Sequence, residues 1–132
     1  MFLSDLTPDE CNCFLGLAYL AMGSDGNIGV SEREVFESYK YECQQPDYLY
    51  NNETLESLTE NLKDSSAQSK KIILMELMGI WAADNKWDDA EIEMMYCIAK
   101  HLNIPETMAN RLRRWAKEMR ELIAEGCELI AR

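Results

Sequence analysis

The stretch from 72 to 83 is apolar around almost the whole circumference of a helix. Only Glu76 interrupts it, and its apolar members include Ile72, Ile73, Leu74, Met75, Leu77, Met78, Ile80 and Trp81. A helix of this composition has no face suited to water, so it must be covered by others. It predicts a central helix over roughly 69–83 in a chain whose 132 residues suit one domain.

Helix-start signals precede five amphipathic segments around this central stretch. The predicted caps or first residues are Thr7 with Pro8 and Glu10, Ser31 with Glu34, Asn52, Asp88 with Glu91, and Pro105. After each one, apolar residues recur three or four positions apart. No stretch alternates apolar and polar residues as a half-buried strand would. The prediction is an all-α, single-domain bundle of about six helices over residues 1–132, with short loops joining neighbouring helices.

The charge is unevenly distributed along the chain. Residues 1–69 hold 13 acidic and 3 basic side chains, and the whole chain has a formal net charge of −11. An acidic surface repels phosphate backbones, so no nucleic-acid partner is predicted. The basic segment 111–120 is interpreted as a solvent face beside a core-facing stripe of Leu112, Trp115 and Met119. Alternatively, its bases meet the acidic half of another copy, which would favour a homo-oligomer.

The cysteines and the single histidine show no catalytic pattern. The five cysteines are odd in number and irregularly spaced, so they predict no disulfide framework. Cys11 and Cys13 lie two apart on a predicted helix and are interpreted as small apolar residues rather than soft-metal ligands. His101 is interpreted as a helix-end histidine. The first basic residue is Arg33 and the apolar stretches are short, so a cytoplasmic chain without a membrane span is predicted.

A short acidic turn occurs twice, 59 residues apart and without gaps. Residues 25–32 read DGNIGVSE and residues 84–91 read DNKWDDAE, so both fit D-x-x-Φ-x-x-x-E, where Φ is a large apolar residue. Each copy lies between an apolar helix and a capped amphipathic one. The repeat predicts two pseudo-equivalent helix–turn–helix units whose turns lie near each other.

The first turn matches the back half of an EF-hand calcium loop. Asp25, Ile28 and Glu32 fall where such a loop places a ligand, an apolar residue and the final glutamate, whereas Ala21 and Gly23 occupy the earlier ligand positions. Each turn therefore supplies about half of the oxygen ligands that an EF-hand supplies.

Two facing half-sites could share one ion. The candidate metal ligands are Asp25, Glu32, Asp84 and Glu91, whose carboxylate oxygens suit Ca²⁺, Mg²⁺ or Mn²⁺. The alternative is that these acids only cap helices and favour their N-terminal dipoles. Both interpretations remain open at the level of sequence.

The double pattern resembles the TerB-like family, named for tellurite-resistance proteins. The resemblance is carried by residues 17–34, LAYLAMGSDGNIGVSERE, and residues 77–95, LMGIWAADNKWDDAEIEMM, and it extends over about 10–104. It implies an all-helical domain of two pseudo-repeated parts with acidic turns. Members of this family are linked to tellurite and other stress responses, and they have been proposed to bind metal and partner proteins, some of them membrane-bound.

The resemblance also implies which residues matter. By position, Asp25, Glu32, Asp84 and Glu91 match the acidic signature of the family, whereas Asn85 stands where glycine is usual. No enzymatic activity is established for the family, and no nucleotide-binding or metalloprotease motif occurs here. The expected function is a non-enzymatic TerB-like module that binds a divalent cation and engages a protein partner. The alternatives are a metal-free interaction domain and, ranked below both, a metal-dependent hydrolase.

Overall fold

The computed structural model describes residues 1–23, 28–83 and 87–131 and consists of α-helices joined by short connections. The helices are α1 Pro8–Met22, α2 Val30–Glu42, α3 Leu55–Glu60, α4 Ala67–Trp81, α5 Asp89–His101 and α6 Glu106–Ile130, and a 3₁₀ turn spans Leu3–Asp5. The described ranges contain no strand. The predicted all-α bundle of about six helices is confirmed.

Helix α4 is the centre of the bundle, as its composition predicts. It packs against α1, α2, α5 and α6. Its side chains from Leu74 to Trp81 are mostly excluded from water, and Leu77, Met78 and Trp81 are completely so. Complete burial of each large apolar side chain contributes about 1.5–3 kcal/mol to stability.

Glu76, which interrupts the apolar run of α4, forms hydrogen bonds with the first residues of the chain. Its Oε2 accepts hydrogen bonds from the Met1 amine at 2.8 Å and from Phe2 N at 3.1 Å. Glu42 of α2 accepts from the same amine at 2.8 Å and from Leu3 N at 3.0 Å. Burial alone would lower the pKa of the amine, but these two carboxylates raise it above its ordinary value.

Ring contacts give the relative direction of α1 and α2. Phe14 contacts Tyr39 with 5.1 Å between ring centroids, and Tyr19 contacts Phe36 at 6.2 Å. As the residue number rises along α1, its partner on α2 falls. The two helices are therefore antiparallel.

The relation between α2 and α4 follows in the same way. Tyr39, late in α2, donates a hydrogen bond to the carbonyl of Glu76, in the middle of α4. Ser31, at the start of α2, lines the same cleft as Ala83, which follows the end of α4. Thus α2 is antiparallel to α4 as well, and α1 and α4 run in the same direction. Both helices therefore end at the same end of the bundle, and in the sequence each is followed by one of the two acidic turns.

Two predicted helix starts are confirmed. Thr7 Oγ1 accepts from Glu10 N at 3.1 Å and Thr7 N donates to Glu10 Oε1 at 2.9 Å, forming the predicted capping box. Asp88 and Glu91 form the second box, at the start of α5. These boxes form from residues three apart, which is why local sequence predicts them.

Two other predicted starts are wrong. Ser31 lies inside α2, which begins at Val30 after Gly29. Asn52 does not cap α3, because Thr54 does so by accepting a hydrogen bond from Ser57 N at 3.1 Å. Asn52 instead has a φ of 55°, a left-handed conformation that asparagine tolerates better than most residues.

The apolar stripe of α6 is only partly core-facing, which corrects the prediction for Trp115. Met108 and Leu112 pack against the core, but Trp115 is exposed and Leu122 is 62% exposed. The helix has 25 residues and continues past the body of the bundle. Within the described ranges, no helix combines the length and the apolar character needed to cross a membrane.

Candidate functional site

The second turn leads into α5 through a complete capping box. Asp88 Oδ1 accepts a hydrogen bond from Glu91 N at 2.8 Å, and Glu91 Oε1 accepts one from Asp88 N at 3.1 Å. Glu91 is only 3% exposed. Its carboxylate is therefore tied to the backbone at the start of its own helix.

The first turn repeats the glutamate half of this arrangement. Glu32 Oε1 accepts a hydrogen bond from Gly29 N at 3.3 Å, and the Glu32 residue is 4% exposed. Gly29 has no side chain to return the bond. Glu32 and Glu91, equivalent in the sequence repeat, thus hold equivalent and buried positions at the third residue of their helices.

The other two predicted metal ligands, Asp25 and Asp84, lie outside the described residues. Among the residues that the structure does describe, no three His, Cys, Asp or Glu side chains are grouped closely enough to hold a metal ion. Ala21 and Ile80, which occupy the first ligand position of the EF-hand comparison in the two copies, are buried inside α1 and α4. The first two positions of such a loop are therefore helical in both copies.

The large apolar residues of the two turns differ in their surroundings. Trp87 packs against the core, 5.8 Å from Trp81 between ring centroids, and the Arg113 guanidinium lies 5.1 Å from its ring centroid. Ile28 is 45% exposed. The second turn is thus attached to α4 and α6 through Trp87, whereas Ile28 is about half exposed.

One cleft adjoins both turns. It has a volume of about 340 Å³ and is lined by Ser31, Glu34, Val35 and Ser38 of α2, by Ala83, and by Arg120 of α6. Ala83 directly precedes the second acidic turn, and α2 directly follows the first. Residues that flank the two copies of the repeat therefore share one surface.

Arg120 is the residue at this site that the sequence did not indicate. Its Nη2 donates a hydrogen bond of 2.8 Å to the carbonyl oxygen of Ala83. A guanidinium here places a positive charge beside the second acidic turn and uses a carbonyl oxygen that a hard cation could otherwise bind. Arg120 lies 36 positions from the turn in a segment rich in bases, so no local spacing singles it out.

Three of the five cysteines, Cys11, Cys13 and Cys43, behave as small apolar residues, whereas Cys97 and Cys127 are exposed. Cys11 is buried beside Cys43, and burial raises the pKa of both thiols above its ordinary value. Burial also raises the pKa of Cys13 to about 11. A thiol with a raised pKa contains little thiolate at neutral pH, so these three are poor nucleophiles and poor metal ligands.

His101 lies close to a thiol, but its geometry does not suit catalysis. Its Nδ1 lies 3.8 Å from Cys97 Sγ and 2.8 Å from the Cys97 carbonyl oxygen. A carbonyl only accepts, so Nδ1 carries the proton and donates to the helix backbone. That nitrogen cannot act as a base toward the thiol.

Comparison of the chain with protein-family models, with curated proteins and with solved structures finds no match. The likeness to the TerB-like family stays a prediction from the two sequence stretches that carry it.

Proposed function

We propose that this chain is a non-enzymatic, TerB-like helical module that engages a protein partner through the end of the bundle where α1 and α4 end. One observation carries the proposal: residues that flank both turns line a single cleft. Glu32 and Glu91 act here as structural residues, because each bonds the backbone N–H that precedes its helix. They hold both turns in place beside the cleft.

The chemistry of the cleft suggests the kind of partner. Val35 offers an apolar contact, Glu34 is exposed, and the first half of the chain carries most of the excess negative charge. Arg120 is engaged by the Ala83 carbonyl, which leaves the Glu34 side of the cleft to a basic segment with an apolar anchor. Opposite charge speeds the encounter and buried apolar area holds the complex.

A basic amphipathic peptide tests this proposal. Titration of such a 12-residue peptide at about 0.15 M salt should shift amide resonances of the cleft residues of α2 and of Ala83. Glu34→Lys should weaken binding several-fold, whereas Glu60→Lys, the same charge change at an exposed residue at the end of α3, should matter less. Equal effects of the two substitutions, or no localised shifts, would reject the cleft as the binding surface.

A second candidate function is the binding of Ca²⁺, Mg²⁺ or Mn²⁺ at the paired turns. It is favoured by the shared direction of α1 and α4, each of which precedes one of the turns in the sequence, and by the matching positions of Glu32 and Glu91. A cation bound only by the folded state at 100 times its Kd would add about 2.7 kcal/mol of stability.

Thermal unfolding with each metal separates the two candidates. If a cation binds, the melting temperature should rise with metal in the wild type and not in Asp25→Ala/Asp84→Ala. Asp47→Ala/Asp64→Ala, which removes two exposed acids elsewhere, should respond like the wild type. An unchanged melting temperature at millimolar metal would reject cation binding and would not bear on the proposed interaction with a protein partner.

A further inference from the structure

The second half of α6 presents an apolar surface with no partner within the described part of the chain. Met108, Leu112, Trp115, Met119, Leu122, Gly126 and Leu129 follow one another at alternating spacings of four and three. This is the heptad spacing of helices that pack side by side. Leu122 is 62% exposed and Leu129 is 68% exposed, and none of the described residues from 121 to 131 is buried.

The charge of α6 changes sign along its length. Residues 111–120 hold Arg111, Arg113, Arg114, Lys117 and Arg120 against Glu118 alone. Residues 121–131 hold Glu121, Glu125 and Glu128 and no base. One helix thus has a basic half that packs on the body and an acidic half that projects from it.

We propose that the projecting half of α6 docks on α6 of a second copy of this chain, with the two helices antiparallel. This orientation places each acidic half beside the basic half of the other copy, whereas a parallel pair would bring like charges together. The contact is isologous, because each copy gives and receives the same surface, and it therefore closes as a two-fold dimer.

The body of the bundle provides a surface for the incoming helix. A groove of about 350 Å³ is lined by Phe2, Met75, Met108, Leu112 and Trp115, with Arg111 also at its wall. The groove borders the same stripe of α6 that continues as Leu122 and Leu129. An arm from a second copy would thereby cover the apolar surface of both chains.

Heptad spacing selects one register for the antiparallel pair. When the helices cross near residues 117 and 118, Leu122 of one copy faces Leu112 of the other, and Gly126 faces Met108, where the missing side chain leaves room. Glu125 then lies opposite Arg111. The two Glu118 residues approach each other at the centre, where Arg114 Nε, 4.0 Å from Glu118 Oε1 of its own chain, offsets their repulsion.

A membrane surface suits this arm less well than a second copy. Amphipathic helices that lie on anionic lipid carry Lys and Arg along their polar face. The projecting half of α6 carries three glutamates instead. This inference does not depend on the proposed function, because neither the cleft nor the acidic turns form the contact.

Sedimentation equilibrium of the full chain between about 1 and 300 µM tests the proposal. The wild type should dimerise, and Leu122→Glu should weaken the dimer at least tenfold. Ala124→Glu introduces the same charge on the opposite face of the same helix and should dimerise nearly as the wild type does. A monomer at every concentration, or a dimer that Leu122→Glu leaves unchanged, would overturn the proposal.

A charge exchange tests the register independently of folding. Arg111→Glu and Glu125→Arg, both at exposed positions, should each weaken self-association. An equimolar mixture of these two single variants should form heterodimers, and the double variant should recover self-association, since both restore opposite charges across the contact. If neither the mixture nor the double variant recovered dimerisation, the antiparallel register would be rejected.

A vesicle experiment tests the alternative occupant, a lipid surface. If the chain stayed monomeric and bound vesicles of phosphatidylcholine with 30% phosphatidylserine, the lipid would replace the second copy and the proposal would be overturned.

Discussion

The two acidic turns share a sequence pattern but differ in how they are fastened to the molecule. After the second turn, Asp88 and Glu91 form a reciprocal capping box, and Trp87 packs between α4 and α6. After the first turn, Glu32 bonds Gly29 N without a returning bond, and Ile28 is about half exposed. The glutamate is the feature that both copies use in the same way.

This difference shows which feature the two copies share and which they do not. In both copies a buried glutamate at the third helical residue accepts a hydrogen bond from the backbone N–H that precedes the helix. The large apolar residue stabilises the fold only where α6 lies beside it, because Arg113 and the core give Trp87 its contacts. Of the two large apolar residues of the turns, Ile28 is therefore the more available to a partner.

The largest expected difference lies in the apolar residues. Trp87→Ala should lower the free energy of unfolding by about 2 kcal/mol, since a partly buried tryptophan loses packing and leaves a cavity. Ile28→Ala should change it by less than about 0.5 kcal/mol, as expected for an exposed position. Urea unfolding followed by circular dichroism measures both, independently of tryptophan fluorescence. Equal losses would show that the two turns are fastened alike.

The glutamates should instead behave alike. Glu91→Ala and Glu32→Ala should each cost about 1–2 kcal/mol, because each leaves a helix-start N–H without its carboxylate and removes a buried side chain. The same unfolding experiment on the double variant adds a test of the cation. Losses that add support separate capping roles, whereas a double variant far from the sum would indicate that the two residues share a ligand.

Sequence predicted those parts of the structure that depend on neighbours along the chain. The boxes at Thr7 and Asp88 were predictable because each forms between residues three apart. The central position of α4 followed from a helix that lacks a polar side. The start of α2 was missed because Ser31 and Glu34 also fit a capping pattern, whereas the hydrogen bond from Gly29 N to Glu32 Oε1 shows that Glu32 is the glutamate that caps α2.

What could not be predicted depends on distant contacts. The spacing of the stripe on α6 was evident in the sequence, but not that the body ends before Leu122. Arg120 reaches Ala83 only because α6 passes the end of α4, and nothing near either residue indicates this contact. The candidate metal site likewise depends on Asp25 and Asp84, which lie outside the described residues.

The caps provide a smaller test of the comparison. Asp88→Ala should cost about 1 kcal/mol, since Asp88 Oδ1 accepts from Glu91 N. Ser31→Ala should be close to neutral, because Ser31 is an exposed residue within the first turn of α2. Thermal unfolding of the two variants and of the wild type measures both effects. A loss at Ser31 as large as that at Asp88 would restore Ser31 as the cap of α2.

The smallest effect is expected from making the first turn resemble the second. Gly29 has the extended backbone of a helix cap, with φ −82° and ψ 164°, and a Cβ placed there would meet its nearest neighbour, Glu32 Oε1, at an ordinary contact distance of 3.6 Å. Gly29→Ser should therefore supply the missing half of the capping box and raise the free energy of unfolding by a few tenths of a kcal/mol. Gly29→Ala supplies the Cβ without the hydroxyl and is the matched control. If serine stabilises the protein no more than alanine does, the missing cap does not explain why the first turn is held less firmly. The two copies would then differ in more than the residue at this position.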